Sequence, residues 1–354
     1  MTMNRFFAVV AAALLPICAS AAPTKAAALK AYAARALAKC PDGKITLEPI
    51  DRPGPIGFVP YTLTLTSSDT TCGKQTFLLY SPLTQQVLIG AVFALPPDNR
   101  SVDARVAAGT SELLKTPLTA TVSLIFLPDR LREVAMTKQT PYGPFSYHGF
   151  VDASERFLII GTRGTLGIDP AQTIRESIGV GSAVRRGNPK AKVEVIELSD
   201  FQCPSCGRAH KQVEPLIAKH LSKVNYGRLD LPLFENHRWS IPAALGARAI
   251  HNVAPEKYWS YVNFIFDNQE TIDKAPMFDT VLQNFCEDHD IDWKSAERIY
   301  RSPQERNALL EQVSRMFDNG IVSTPTYIIN GQIMNFGADG KFTIKALKQA
   351  IGVK

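Results

Sequence analysis

The chain has 354 residues, which is long for one domain and sufficient for two. Its hydrophobic content of 45% and charged content of 20% are those of a globular protein with large cores. The net charge of +6 is modest and no run of Lys and Arg reaches five residues, which argues against a nucleic-acid-binding protein.

The N-terminus has the pattern of a cleavable secretory signal, which we place at residues 1–21. Arg5 stands before an apolar stretch that runs from Phe6 to Ile17, and small residues follow at positions 19–21. The apolar stretch is too short to span a bilayer comfortably. We therefore expect a protein that is periplasmic or otherwise exported, in a compartment where disulfide bonds persist.

Residues 22–168 form the first predicted domain. They begin with an Ala- and Lys-rich helix and continue with strand-like runs such as TFLLYS, VLIGAVFAL and RFLIIG, with Gly and Pro frequent between them. This pattern predicts a smaller α+β domain with an antiparallel sheet. Two of its pieces, 79–90 and 150–161, resemble each other as strand–turn–strand units, which is a weak repeat or a coincidence. Residues 169–189 are predicted to form a helix, with Asp169 as its N-cap, and a linker.

Five cysteines remain after cleavage of the signal: Cys40, Cys72, Cys203, Cys206 and Cys286. We pair Cys40 with Cys72 as a structural disulfide. Closing a loop of roughly 32 residues contributes about 3 to 4 kcal/mol in the chain-entropy model. Cys286, within VLQNFCEDHD, is interpreted as a small buried side chain on a helix rather than as a third redox thiol.

The second predicted domain covers residues 190–354 and has a distinctive order of elements. A strand leads into a Cys-Pro-Ser-Cys motif, and a helix and another strand follow. A helical block then covers about 241–319, and two short strands joined by Asn330-Gly331, a favoured hairpin turn, come next. A last helix closes the chain. This order predicts an α/β fold with a helical insertion.

The motif formed by Cys203 and Cys206 has three interpretations: a metal site, a local staple or a redox centre. A structural zinc site needs about four N or S ligands, and the sequence has no second Cys-X-X-Cys pair. A staple across two residues would remove little chain entropy. At a strand–helix junction, however, the first sulfur lies near unpaired N–H groups and the positive end of the helix dipole, which stabilise a thiolate. We therefore expect Cys203 to be the exposed nucleophile and Cys206 the shielded resolving thiol, with no metal and no cofactor.

The strand, the SDFQCPSC motif, the helical insertion and the STPT segment before the final strands together resemble the thioredoxin superfamily, specifically its DsbA-like branch. The resemblance covers nearly half of the chain. It implies that Pro325 is a cis-proline facing the disulfide and that the backbone of Thr324 pairs with an extended substrate. It also implies a buried acid on the strand before the motif. Glu197 occupies that position and would move protons to or from Cys206, although a solvated edge residue is an equally valid interpretation.

The resemblance implies a thiol–disulfide oxidoreductase that acts on exported proteins containing cysteines, with a membrane partner of unknown identity that resets its redox state. Pro204 and Ser205, between the cysteines, tune the potential. They lack the histidine that the resemblance associates with the strongest oxidants, so we expect an oxidant of intermediate strength. His237 and His251 are interpreted as ordinary surface or interhelical residues.

The N-terminal domain leaves the direction of the reaction open. Formation of disulfides in exported proteins is the favoured function. By resemblance, related disulfide isomerases also carry an N-terminal α+β dimerisation domain and a threonine before the cis-proline. A homodimeric isomerase or reductase is therefore the alternative. A non-catalytic binding module is the third interpretation, which the presence of both thiols and the proline disfavours.

Overall fold

The structure is a computed structural model, and it describes residues 24–69, 72–337 and 339–353. The predicted signal peptide, residues 1–21, lies outside the described residues. Within the described ranges the chain forms two domains, each built on one sheet and packed against the other.

The N-terminal domain consists of an antiparallel sheet and flanking helices. Its strands in the described residues are β1 (Lys44–Pro49), β2 (Val59–Thr66), β3 (Lys74–Tyr80), β4 (Gln86–Ala94), β5 (Thr119–Phe126), β6 (Leu131–Thr140), β7 (Gly143–Asp152) and β8 (Phe157–Thr165). Its helices are α1 (Lys25–Ala36), α2 (Val102–Leu114) and α3 (Pro170–Ser177). Helix α3 begins as predicted, because the Asp169 side chain accepts a hydrogen bond from the N–H of Ala171 and Pro170 occupies its first turn.

The sheet has an internal repeat. Its strand order, β1-β2-β3-β4-β8-β7-β6-β5, divides the described domain into two halves, each a helix followed by a four-stranded meander. The two similar sequence pieces, 79–90 and 150–161, span the β3–β4 and β7–β8 turns at equivalent positions. Their last residues, Gly90 and Gly161, lie opposite each other in the β4–β8 pair, where a Cβ atom on Gly90 would lie 2.1 Å from the carbonyl oxygen of Ile160. Glycine therefore permits the close approach of the strands that join the halves.

A disulfide reinforces the first half of this sheet. It joins Cys40, which follows α1, to Cys72, which lies in the turn between β2 and β3, and the two Cα atoms are 5.8 Å apart. The same helix packs Leu29 into a cluster with Leu63 of β2 and Leu78 of β3. The helix and the first meander are thus connected both covalently and through buried apolar contacts.

The C-terminal domain surrounds a mixed sheet with the order β13-β12-β10-β11-β9. Its strands are β9 (Val184–Gly187), β10 (Val193–Ser199), β11 (Val224–Asp230), β12 (Thr326–Ile329) and β13 (Gln332–Asn335). Its helices are α4 (Pro204–Lys219), α5 (Ser240–Val253), α6 (Tyr258–Asp267), α7 (Gln269–Lys274), α8 (Phe278–Asp288), α9 (Trp293–Tyr300), α10 (Pro303–Asp318) and α11 (Lys341–Ile351). Helices α5 to α10 form the predicted insertion, which starts and ends within one residue of 241–319. No described helix is long and apolar enough to cross a membrane.

Strand β9 lies inside residues 169–189, which the sequence assigned to a helix and a linker. Only the helix, α3, fits that assignment, because β9 pairs antiparallel with β11 and forms an edge of the C-terminal sheet. Its short sequence, VRRG, has no alternation of apolar and polar residues that would have indicated a strand. The C-terminal sheet therefore begins at Val184, ahead of the boundary placed at residue 190.

Strand β10 lies in the centre of this domain and pairs with β11 on one side and β12 on the other. Ile196 and Leu198 belong to the apolar cluster formed with the insertion helices. Val195 belongs to a second cluster, which contains residues of α4 and α11. The C-terminal end of β10, where the Cys-X-X-Cys motif follows, therefore emerges from the interior of the domain.

The two domains contact each other at several places, including β6 and β7 against the loop after β11, and two of these contacts flank the loop between α10 and β12. Helix α10 packs on β7, where the Ser314 hydroxyl donates a 2.6 Å hydrogen bond to the carbonyl oxygen of Ser146. The segment after α1 contacts β13, where the Lys39 N–H donates a 2.8 Å hydrogen bond to the carbonyl oxygen of Ile333. These contacts fix the N-terminal domain on both sides of the loop that connects α10 to β12.

Candidate active site

Cys203 lies where β10 ends and α4 begins. It is the N-cap of α4, and Pro204 occupies the first turn of that helix. Because proline has no N–H, the first free donors of the helix are the backbone N–H groups of Ser205 and Cys206. Both of these groups form hydrogen bonds with the Cys203 sulfur. The positive end of the helix therefore faces the sulfur.

The Cys203 thiol is strongly acidic. Its hydrogen bond from the Cys206 thiol, followed by hydrogen bonding to Thr324 and to the two backbone N–H groups, lowers the pKa of Cys203 from 9.0 to about 5, although burial opposes the shift. At neutral pH the sulfur is therefore a thiolate, the species that attacks disulfides and the better leaving group in exchange. The predicted exposed nucleophile is mostly covered, since only 7% of Cys203 is exposed.

Cys206 has the opposite character. It is fully buried, and burial, followed by the neighbouring Cys203, raises its pKa well above the ordinary range. Its sulfur accepts a 3.4 Å hydrogen bond from the backbone N–H of Asp200. The two sulfurs therefore differ in acidity, and their roles as nucleophile and resolving thiol remain a prediction.

The loop before β12 closes the site on the other side of the sulfur. The peptide bond between Thr324 and Pro325 is cis. The carbonyl oxygen of Thr324 lies 3.7 Å from the Cys203 sulfur. Strand β12 pairs with β10 from Thr326 onwards, where Thr326 lies opposite Leu198. This pairing holds the loop beside the motif. The structure thus brings Thr324 and Pro325 together with both cysteines.

Ser205 acts through its backbone rather than through its side chain. Its hydroxyl accepts a 2.7 Å hydrogen bond from the Arg208 guanidinium, one turn further along α4. The hydrogen bond from Ser205 to the Cys203 sulfur is donated by the backbone N–H of Ser205. The dipeptide between the cysteines therefore contributes a free N–H at Ser205 and none at Pro204.

Glu197 is buried, with 2% of its surface exposed, so the interpretation as a solvated edge residue is wrong. It lies in the middle of β10, in register with Arg228 of β11 and Tyr327 of β12, so neighbouring strands cover it on both sides. Its carboxylate accepts a hydrogen bond from the Tyr226 hydroxyl and lies 4.0 Å from the Arg228 guanidinium. A carboxylate in this position needs such partners because burial without them is costly.

Arg228 connects this carboxylate to the motif. Its guanidinium is fully buried, pairs with Asp230 and lies 3.8 Å from the centre of the Phe201 ring, two residues before Cys203. The face of an aromatic ring attracts a cation. Glu197, Arg228 and Asp230 thus form a buried ionic cluster beneath the residues that precede the reactive cysteine.

Asp200 and His237 were missed by the sequence reasoning. The Asp200 carboxylate is fully buried and accepts hydrogen bonds from the N–H groups of Gln202 and Leu233, at 2.8 Å and 2.7 Å. It also accepts a 2.6 Å hydrogen bond from Nδ1 of His237. The interpretation of His237 as an ordinary surface residue is therefore wrong. An aspartate two residues before an N–H in a turn is a recognisable local signal, but the pairing with a histidine 37 residues away depends on the tertiary fold.

The insertion contributes one more support for the motif. Gln269, at the start of α7, donates hydrogen bonds of 2.7 Å and 3.0 Å to the carbonyl oxygens of Phe201 and Cys203. A Cβ atom at Gly207 would lie 2.2 Å from the Gln269 side chain. The glycine directly after Cys206 thus leaves the space that this glutamine occupies.

Cys286 is separate from this chemistry. It is fully buried on α8, and burial raises its pKa to about 11, so it remains a neutral thiol. In the described part of the chain no group of three or more His, Cys, Asp or Glu side chains is arranged to hold a metal ion. Among the free cysteines of the described residues, Cys203 is therefore the acidic thiol.

The comparison with protein families agrees with this geometry. Residues 180–352 match the sequence model of the thioredoxin family. This part of the chain is therefore similar to the thioredoxin family. The predicted thioredoxin-like fold behind an additional N-terminal domain is confirmed.

Solved structures similar to this chain include two bacterial proteins. Alpha-DsbA1 of Wolbachia pipientis is 17% identical and covers 50% of this chain and 96% of its own, with a TM-score of 0.43. Oxidised BdbD of Bacillus subtilis is 17% identical and covers 49% of this chain and 95% of its own, with a TM-score of 0.41.

The curated relatives are longer proteins of a different kind. The Na(+)/H(+) antiporter NhaA 3 of Salinispora tropica is 26% identical over 166 residues, which are 47% of this chain and 24% of that protein. The antiporter NhaA 1 of Salinispora arenicola is 28% identical over 172 residues, with the same two shares. The chain thus spans about a quarter of the length of these relatives.

Proposed function

We propose that this protein is an exported thiol–disulfide oxidoreductase that forms disulfide bonds in other exported proteins. The observation that carries the proposal is the pairing of an acidic Cys203 thiol with a fully buried, protonated Cys206 at the N-terminus of α4. Stabilisation of the Cys203 thiolate favours the reduced state of the pair. The disulfide state is then the stronger oxidant.

The reaction proceeds through two exchanges. A client thiolate attacks the Cys203 sulfur of the Cys203–Cys206 disulfide, a client–Cys203 disulfide forms, and Cys206 leaves as a thiolate that takes up a proton. A second client thiolate then attacks the client sulfur of this mixed disulfide, and Cys203 leaves as a stable thiolate. The client dithiol loses two electrons and two protons, the protein disulfide gains two electrons, and one proton is retained on Cys206.

The surrounding residues have distinct roles in this proposal. The backbone of Thr324, whose carbonyl oxygen is beside the reactive sulfur, pairs with an extended client segment. Glu197 moves the proton that Cys206 gains and loses, through the buried polar cluster that also contains Tyr226. Pro204 and Ser205 set an intermediate oxidising strength, because this dipeptide provides the thiolate with an uncharged donor, the backbone N–H of Ser205.

Export follows from the pattern of residues 1–21, and the disulfide between Cys40 and Cys72 agrees with an oxidising compartment. The clients are exported proteins that contain cysteines. A membrane redox partner reoxidises the pair, because each turnover leaves the protein reduced. No cofactor is needed for either exchange.

The alternative is a dimeric disulfide isomerase, and the observation that favours it is the additional N-terminal domain. The discriminating experiment is the reduction potential of the Cys203–Cys206 pair in glutathione buffers, with the mass of the same purified sample measured in solution. We expect a monomer with a potential between about −270 mV and −120 mV, the values of thioredoxin and of DsbA.

Activity is measured on the same sample with a reduced peptide that contains two cysteines. Disulfide formation should be lost in Cys203→Ala and retained in Cys286→Ala. A dimer whose active-site cysteines remain reduced, and which rearranges the disulfides of a scrambled substrate, would favour the isomerase over the oxidase. Unchanged peptide oxidation by Cys203→Ala would reject both and leave a binding module.

A further inference from the structure

The loop that follows β11 carries a histidine to the base of the Cys-X-X-Cys motif. His237 lies in this loop, and its Nδ1 atom is 2.6 Å from the carboxylate of Asp200, which is fully buried at the end of β10. Only 18% of the His237 side chain is exposed. The ring and the carboxylate therefore form an ion pair that is largely shielded from solvent whenever the ring is protonated.

Asp200 also contacts both cysteines through its backbone. Its carbonyl oxygen accepts a 3.2 Å hydrogen bond from the Cys203 N–H, and its N–H donates to the Cys206 sulfur. The residue that holds the histidine is thus the same residue that positions the two sulfurs. Any change in the charge of this pair therefore occurs beside a residue that is directly hydrogen-bonded to Cys203 and to Cys206.

We propose that His237 and Asp200 form a positioning pair that sets the charge beside Cys203 and makes the oxidising strength of the disulfide depend on the protonation of His237. The inference rests on the proposed function and deepens it, because it assigns control of the potential to a histidine outside the Cys-X-X-Cys motif. When the ring is protonated, the charges of His237 and Asp200 cancel, and the pair does not repel the Cys203 thiolate. With the ring neutral, the buried carboxylate alone repels the thiolate.

The groups that face His237 support this direction. They are Asp200 on β10, Cys203 at the start of α4 and Asp273 on α7, and each is anionic when ionised. The hydrogen bond to Asp200 is the largest cause of a raised His237 pKa, partial burial opposes it, and the charges on Asp200, Cys203 and Asp273 add to it. The ring therefore keeps its proton to a higher pH than an ordinary histidine does.

Linkage makes the effect reciprocal. If the His237 charge stabilises the Cys203 thiolate, then the thiolate must stabilise the His237 charge by the same free energy. The disulfide carries no charge. The imidazole pKa of His237 should therefore be higher in the reduced protein than in the oxidised protein, and part of a proton should bind to His237 as each client is oxidised.

The experiment measures three quantities on full-length protein: the His237 imidazole pKa by NMR in both redox states, the Cys203 pKa from the pH dependence of alkylation, and the equilibrium constant with glutathione. The variants are His237→Asn, whose amide keeps a neutral donor near the Nδ1 position, Asp200→Asn and the double variant. His237→Asn should raise the Cys203 pKa by about one unit and weaken the oxidant about tenfold. The double variant, in which both groups are neutral, should return both quantities towards wild type.

A chemically matched control lies at the domain interface. His148 forms the same type of pair, with Nδ1 2.8 Å from the Asp318 carboxylate, and its pKa is raised by Asp318, Glu133 and Glu311, with burial in opposition. His148→Asn should leave the Cys203 pKa and the glutathione equilibrium unchanged. An equal effect of both histidine variants would overturn the proposal.

Two further outcomes overturn the inference without touching the proposed function. One is a His237 pKa that is equal in the two redox states of wild-type protein, a measurement that does not depend on whether any variant folds. The other is a double variant whose Cys203 pKa is at least as high as that of His237→Asn, since a purely structural role predicts added damage. A wild-type protein whose cysteines stay reduced in every glutathione ratio would instead overturn the proposed function.

Discussion

The acidity of Cys203 makes the stability of the reduced protein depend on pH, and Cys203→Ala should remove that dependence. In the unfolded chain the thiol has a pKa near the ordinary 9.0, whereas in the folded, reduced protein it is about 5. Between these values the unfolded state binds one proton more than the folded state. The free energy of unfolding must therefore rise with pH across this window and fall as the pH drops through 5.

The size of the effect follows from the two pKa values. Within the window the slope is about 1.4 kcal/mol per pH unit. Two pH units above the folded pKa, at pH 7, the ionised sulfur should contribute about 3 kcal/mol to the stability of the reduced protein. Little of this is lost to solvent screening, because the residue is 7% exposed.

The measurement is a series of urea titrations between pH 5.5 and 8 with a reductant present. Wild-type and Cys203→Ala proteins are compared, so that packing losses, which do not depend on pH, appear as a constant offset. Two controls are built into the chain: the oxidised wild-type protein has no Cys203 thiol to titrate, and Cys286→Ala removes a thiol that stays protonated. If the wild-type and Cys203→Ala free energies run parallel with pH, the thiolate assignment is refuted.

Two further predictions concern stability. Arg228→Met should lower the free energy of unfolding by about 3 to 5 kcal/mol, because the variant leaves the buried Glu197 and Asp230 carboxylates without their cation. Urea titration checks this, and a loss below 1 kcal/mol would contradict the ionic cluster. Replacing Cys40 and Cys72 with alanine should cost about 3 kcal/mol by freeing a loop of 32 residues, with the glutathione equilibrium of the active site unchanged. Calorimetry and redox titration together check it, and an altered equilibrium would show that this disulfide supports the site.

The parts of the fold that sequence predicts best are those determined by local patterns. The hairpin at Asn330-Gly331 forms as expected, because both residues adopt the positive φ values, 48° and 82°, that its turn requires. A helical block is also found in the C-terminal domain, as helices α5 to α10. In contrast, β6 and β7 alternate charged, polar and apolar residues over ten residues each and were not recognised as a pair. Their pairing depends on neighbouring strands of the sheet, which a single segment does not reveal.

The same division applies to the active site. Cys203 and Cys206 could be assigned roles because a helix N-terminus acts on whatever side chain lies within its first turn. The burial of Glu197 depends on two flanking strands, β11 and β12, that are about 30 and 130 residues away in sequence. His237 reaches Asp200 only because β11 is parallel to β10, so that the loop after β11 emerges at the same edge of the sheet. Contacts of this kind are created by topology rather than by spacing.

Two of the contacts between the domains lie on either side of one short stretch of chain. Ser314, in α10, is bonded to Ser146 of β7, and Ile333, in β13, is bonded to Lys39. Thr324 lies between them, so its loop is a short segment that is held at both ends by the N-terminal domain. Cys203, by contrast, is supported by β10 and α4. Any tilt of the N-terminal domain would therefore change the distance between the Thr324 carbonyl oxygen and the Cys203 sulfur.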